Sequence, residues 1–455
     1  MQKQELRAAV SLAAVFAVRM LGLFMIYPVF AAFARHLTGA TPYKIGLALG
    51  IYGLSQGLLQ MPFGLLSDRI GRKAMIVFGL VLFGLGSAVA ASSTSIDGII
   101  WGRVLQGAGA VGSVILALVA DLTAEENRTK AMALVGMTIG FSFLVAIVAG
   151  PAVAGWIGVA GIFWLMAGLA LVGIAITTFA VPRPRRLRVH RDAETVPALL
   201  GSMLRNPELL RLDFGIFALH AMLTASFLVV PELLHGTLGT SSRDQWLVYL
   251  PVLVASVAIM VPAIIVAERH RRMKTVLVGA IGALALSQLM LAVGGHDAYV
   301  LLAAITLFFA GFNIMEASLP SLVTKTAPSG STGTATGIYS SSQFLGIFVG
   351  GVGGGWVNQT DGAVGVFILA CALTVLWLLV AGTMRRPSHL TTRVVRVGDG
   401  PEVDAERLSA RLRQVPGVAE ALVVPEEGLA YLKVDSKIFD RAQAESVAGG
   451  TFEPG

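Results

Sequence analysis

The chain has 455 residues, 55% of them apolar and only 13% charged, with a mean hydropathy of +0.76. Soluble domains carry about 25% charged residues, so this chain lacks the polar surface a soluble protein of its length needs. The net charge of +7 does not point to nucleic acid, because the basic residues alternate with apolar runs, and the lone Cys371 excludes an intrachain disulfide or a Cys-based metal site.

A membrane-spanning helix needs about 20 predominantly apolar residues. Stretches meeting that test lie near 11–35, 44–67, 74–92, 98–120, 130–151 and 160–181, then near 212–235, 245–267, 274–294, 298–323, 333–356 and 363–384. Lys3 and Arg7 precede the first stretch like the start of a signal peptide. It runs on to about Ala34 without a convincing cleavage site, so a retained span is expected. The fold class is therefore an all-α membrane protein of twelve helices in two six-helix bundles, residues 1–182 and 212–386, joined by a linker over 183–211. Fifty-two glycines suit helices that pack backbone to backbone.

Lysine and arginine placement sets the expected orientation. With the N-terminus inside, 21 basic residues fall on inner loops and flanks, including Arg128, seven in the linker, and Arg385 with Arg386; only Arg35, Lys44 and Arg243 fall outside. Both termini are expected in the cytosol and the chain in the cell's inner or plasma membrane. The halves echo each other 200 residues apart: Pro62, Asp68, Arg69 and Arg72 recur as Pro262, Glu268, Arg269 and Arg272, and Gly150, Gly155 and Trp156 as Gly350, Gly355 and Trp356. A duplicated six-helix unit around a central cavity is the architecture of a secondary transporter.

The stretch Gly64-Leu65-Leu66-Ser67-Asp68-Arg69-Ile70-Gly71-Arg72-Lys73 clusters charge and glycine between two apolar runs, which places it at a membrane surface. It resembles the loop 2–3 signature of the major facilitator superfamily and matches it in full. Arg103 with Gln106, Gly107 and Gly109 resembles the fourth-helix signature of the proton-coupled members. Gly140, Gly150, Pro151 and Gly155 resemble the fifth-helix antiporter motif, although the spacing after the proline differs by one residue. Combined with a small appended domain, the chain is similar to the YajR-type subgroup of drug-efflux-like transporters.

The resemblance implies a conformational latch at Gly64, Asp68, Arg69, Gly71 and Arg72. Arg72 is within reach of Asp121 at the end of the fourth span, and Asp68 would face the N-terminus of the eleventh span when the transporter opens outward. It also implies proton-coupled antiport of small, possibly amphiphilic molecules. From the residues themselves, ionisable groups inside spans are functional by default, which singles out Arg19, Arg103, His220 and Glu316. A carboxyl in a span is a candidate proton carrier, and an imidazole titrates near neutrality. The first span carries no acid, which departs from several drug–proton antiporters of the family. Phe24, Tyr27, Tyr52, Phe141 and Trp164 are candidate cavity aromatics, set against the commoner lipid-facing or core role.

The stretch 391–455 reads as soluble and ferredoxin-like. A strand at 393–397 precedes a helix capped by Asp404, a hairpin follows over 421–434, a second helix fits 438–447, and there is room for a last short strand. It has no Cys-x-x-Cys, so metal transfer is not expected; binding of a small ligand or self-association is. No phosphate-binding loop, zinc-protease motif or nucleophile elbow is present, so neither ATP-driven transport nor an enzyme is expected. The expected partners are a small-molecule substrate, protons and the lipid bilayer, with no nucleic acid, metal or cofactor. The alternative from another class is a membrane sensor signalling through the tail.

Overall fold

The computed structural model describes residues 3–123, 125–182, 196–385, 390–397, 404–425, 428–435, 437–450 and 452. The arginines at 183–191, Arg386 and the side chain of Arg128, used above for orientation, lie outside the described residues. Nine helices among them are long and apolar enough to cross a membrane. Two of these, Glu125–Ala175 and Thr332–Gly382, are each 51 residues and break at a glycine with positive φ, Gly158 (71°) and Gly362 (69°), so each supplies two spans. Pro42–Ile70, whose polar Ser55, Gln56 and Gln60 dilute its hydropathy, completes twelve.

The first span, Lys3–Met25, continues as Tyr27–Ala34, and Pro28 sits where a helix start lacks a partner for its N–H anyway. The fourth runs over Ile96–Ala108 and Gly112–Leu122. The seventh begins at Pro207 under the Asn206 cap, earlier than expected, and a short helix, Leu200–Met203, occupies part of the expected linker. The eighth, ninth and tenth are Trp246–Arg269, Met273–Gly294 and Ala298–Thr326.

The sequence echo has a structural counterpart. Gly150 of the fifth span lies against the Met25 carbonyl of the first, and Gly350 of the eleventh against the Ala221 carbonyl of the seventh. Lys73 donates to the carbonyls of Thr178 and Val181 at the end of the sixth span; Lys274 donates to those of Gly382 and Met384 at the end of the twelfth. Gly71 turns its corner with φ 103°, and the same corner in the second half is made by Arg271 at φ 54°. Trp156 and Trp356 are both exposed, as aromatics at a membrane interface are.

After the twelfth span comes a separate apolar core of Val395, Leu412, Val423, Leu432, Val434 and Ala444. Three antiparallel strands, β1 (Leu390–Arg396), β2 (Val418–Val424) and β3 (Leu429–Asp435), lie in the order β1-β3-β2, with helices Ala405–Leu412 and Arg441–Ala448. Asp404 and Asp440 cap those helices through their side chains. The last strand is reduced to one bridge, Phe452 to Val395, on the free side of β1 where a ferredoxin-like fold places its fourth strand. This tail packs on the bundle: Lys433, 1% exposed, donates to the carbonyls of Thr324 and Lys325 at the end of the tenth span, and Asp435 pairs with Arg271.

Candidate functional site

The halves meet along two helix pairs, the second span against the eleventh and the fifth against the eighth. Away from the tail, the first pair closes tightly. A Cβ on Gly46 would stand 2.1 Å from the Gly351 carbonyl oxygen, and one on Gly355 would stand 2.8 Å from that of Pro42. Glycine at these positions lets two backbones touch. Gly155 of the fifth span packs against the Arg243 side chain of the other half. On the same far face Arg35 forms an ion pair with Glu232 across the halves, and Tyr27 lies within 3.4 Å of the Thr224 hydroxyl. The Arg35 guanidinium holds the Glu232 carboxyl below its ordinary range.

Toward the tail the halves separate around a cavity of about 170 Å³. It runs from Arg19, Phe24 and His220 at mid-span to Asp68, Arg72 and Gly333 at the helix ends. At its mouth Arg72, 3% exposed, bonds Asp68 at 2.5 Å, the Ser67 hydroxyl at 2.7 Å and Asp121 at 3.2 Å. Arg72 therefore ties the second span, its loop and the fourth span together, while Ser67 donates to the Gly64 carbonyl within the second span. Gly71 supplies the corner, and Arg69 lies in the last turn of the second span. Gly333 of the eleventh span lines the same mouth as Asp68.

Deeper in the cavity, Arg19 is 1% exposed and donates from Nη2 to the Tyr52 hydroxyl (2.9 Å) and to Gln56 Oε1. Arg103 sits on the other side of Tyr52, its guanidinium 4.8 Å from the ring centre. Arg103 bonds the Ala48 carbonyl at 3.2 Å and Gln106 at 3.0 Å, and it is absent from the cavity lining among the described residues. It is a packed cation one layer behind the wall, not a wall residue.

On the opposite half, His220 Nδ1 faces the Ile216 carbonyl at 3.3 Å, and Gln343 donates to His220 Nε2 at 2.8 Å. Glu316 Oε2 lies 3.8 Å from that same Nε2 and is buried without a hydrogen-bond partner. Tyr339, whose hydroxyl is also buried without a partner, is within electrostatic reach of Glu316 and of the buried Asp213. Of the expected aromatics, Phe24 lines the cavity and Tyr27 and Tyr52 are fully buried, whereas Phe141 and Trp164 are exposed as lipid-facing residues are. Gly140 has open space at its Cβ position.

The sequence reading passed over Gln56, Gln343, Asp213 and Tyr339. Gln56 lies more than three turns into the span beyond Lys44, and a polar residue there carries a detectable signal. Tyr339 and Gln343 carry none until the helices are packed.

Two pseudo-symmetric six-helix bundles around a cavity closed at one face and reaching the other define a membrane transporter that works by alternating access. The family model of the Major Facilitator Superfamily matches residues 12–351 and 212–424. The chain belongs to that superfamily, whose members are transporters and not enzymes. It is 43% identical to the inner membrane transport protein YajR of Escherichia coli, over 97% of both chains. It is 26% identical to the multidrug resistance protein MdtH of Aeromonas salmonicida, over 81% of this chain and 93% of that one. Among solved structures, the nucleoside transporter NupG covers 84% of this chain at a TM-score of 0.64 and 13% identity, and the human organic anion transporter MFSD10 the same share at 0.59 and 18%, the whole of each matched chain being covered; both attest the fold alone.

Proposed function

We propose that this chain is a proton-coupled transporter of the inner membrane that exports small, amphiphilic molecules in exchange for protons, with both termini in the cytosol. The observation that carries the reading is the one-sided cavity, sealed on the far face by Gly46, Gly351 and Arg35–Glu232 and lined on opposite walls by Arg19 and His220. The excess of basic residues on the tail side makes that side cytosolic, so the cavity faces inward. Export and antiport draw support from the relative named as a multidrug resistance protein and from the Gly150-Pro151 packing against the first span.

His220 and Glu316 are the proton site in this reading. The Nε2 lone pair of the imidazole is taken by the Gln343 amide, so the unpartnered Glu316 carboxyl oxygen beside it is the open place for a proton. The loop at Asp68 and Arg72 is the latch. It stays assembled within its own half here and reaches the N-terminus of the eleventh span when the tail-side mouth closes. A carboxylate at a helix N-terminus contributes about 0.3–1 kcal/mol, so Asp68→Asn favours the inward-open state roughly two- to fivefold.

The deciding experiment is flux in proteoliposomes with an imposed pH gradient and a panel of amphiphiles. Wild-type protein moves substrate against its gradient. Glu316→Gln loses gradient-driven accumulation and keeps downhill exchange. Absence of gradient-driven flux for every amphiphile would overturn proton-coupled export of this substrate class.

A further inference from the structure

Resting on the transporter reading of the cavity, we infer that its binding site takes an amphipathic organic anion, with the carboxylate or sulfonate held at Arg19 and Gln56. Arginine has five N–H donors. Two, on Nη2, go to Tyr52 and Gln56; Nε and Nη1 are buried and have no partner among the described residues. The Gln56 carbonyl oxygen is taken by Arg19, and its amide nitrogen Nε2 is likewise buried and unpartnered. All three unsatisfied nitrogens are donors, and all belong to residues lining one cavity. A water molecule can serve one such donor, but a site made of donors alone, one of them charged, is matched by an acceptor-rich anion.

Charge points the same way. The ion pairs found among the described residues give Arg19 no carboxylate partner, and Arg103 behind it is bonded to carbonyls and an amide. Two guanidiniums thus flank Tyr52 with no acid beside them. The carboxylate among the lining residues is Asp68, at the mouth and bound by Arg72. Glu316 belongs to the other half and lies behind His220. A buried cation without a counter-charge is unfavourable, and a bound anion relieves it. The lining also carries Phe16, Met20, Phe24 and Phe344, apolar surface that suits a hydrocarbon or aromatic body.

The test is binding to the full chain in nanodiscs of zwitterionic lipid, by calorimetry, with naphthalene-2-sulfonate as probe. Its uncharged sulfonamide and the naphthyl trimethylammonium cation are the matched controls. The sulfonate is expected to bind at least roughly tenfold tighter than either control. Arg19→Gln removes that preference by lowering the affinity for the sulfonate more than that for the sulfonamide, Arg19→Lys retains part of it, and Gln56→Leu weakens the sulfonate more than the sulfonamide. Equal or tighter binding of the cation by wild-type protein overturns the inference, and this comparison needs no variant to fold. Undiminished sulfonate affinity in a folded Arg19→Gln protein overturns it as well. Sulfonate binding with no proton-driven flux would remove the coupling and keep the anion site, so the two readings fail separately.

Discussion

Gly46 is the position where one added methyl tests the far-face seal. In Gly46→Ala the Cβ would meet the Gly351 carbonyl oxygen at 2.1 Å, the Gly355 Cα at 2.8 Å and its N at 3.0 Å. All are backbone atoms of the facing helix and cannot rotate aside. Ordinary contact begins at 3.4 Å, so the eleventh span has to retreat by about 1.3 Å, the difference between 3.4 and 2.1. Overpacking of this kind costs about 1–3 kcal/mol. The contact belongs to the conformation with the far face closed, so the cost falls on that state, and a coupling of that size shifts the population toward the far-side-open state roughly 5- to 150-fold. Alanine in a helix is favoured over glycine by about 1 kcal/mol, so local unwinding cannot account for the shift. Spin labels at His36 and Gly236, exposed positions beside Arg35 and Glu232, read the far-face distance by pulsed electron resonance, in a Cys371→Ser background. The variant should populate a longer distance at the expense of the short one. An unchanged distribution in a protein that still folds would refute the glycine contact as the seal.

Three further outcomes follow from the same geometry. Asp121→Ala removes one partner of a buried ion pair whose side chains are 0% and 3% exposed, and it should lower unfolding stability by about 3 kcal/mol. That is the low end for such a loss, because Arg72 keeps Asp68 and Ser67; Asp68→Asn, half exposed, should cost under about 1 kcal/mol, and equal losses would contradict the assignment. Glu232 is held below its ordinary value of 4.5 by the hydrogen bond from Arg35, so its contribution to far-face closure is complete above pH 4.5 and disappears as pH falls through the lowered value. The His36–Gly236 distances of wild type and Glu232→Gln should differ equally at pH 8 and pH 6 and converge only on stronger acidification; the pair is 44% and 55% exposed, so the difference stays within about 1 kcal/mol. Lys433→Met removes the ammonium from the carbonyls ending the tenth span, a loss of about 1.5–3 kcal/mol for bonds to a charged group. Limited proteolysis should then release the tail faster, and an unchanged rate would mean that the other tail contacts suffice.

Much of this protein was legible in its sequence because the bilayer imposes a local rule. About 20 apolar residues must form a helix wherever they occur, so the span pattern, the six-and-six repeat and the charged loop at Asp68 can be read without packing. The tail's strands and Asp404-capped helix follow from alternation and capping, which are also local. The linker is less legible: the turn at 197–203 and the Asn206 cap, whose side chain reaches only to its own neighbours, sit beside a stretch dominated by arginine and proline.

Only the tertiary structure brought together residues that the chain holds far apart. Arg19 meets Gln56 37 positions away, His220 meets Gln343 123 positions away, and Lys433 meets Thr324 109 positions away. Arg103 shows the distinction well: the sequence places a cation in the fourth span, but only packing puts Tyr52 between it and Arg19. The face on which the cavity opens is decided by contacts such as Gly46 on Gly351, whose balance is set between two bundles. That balance is a property of surfaces in contact, and no single span carries it.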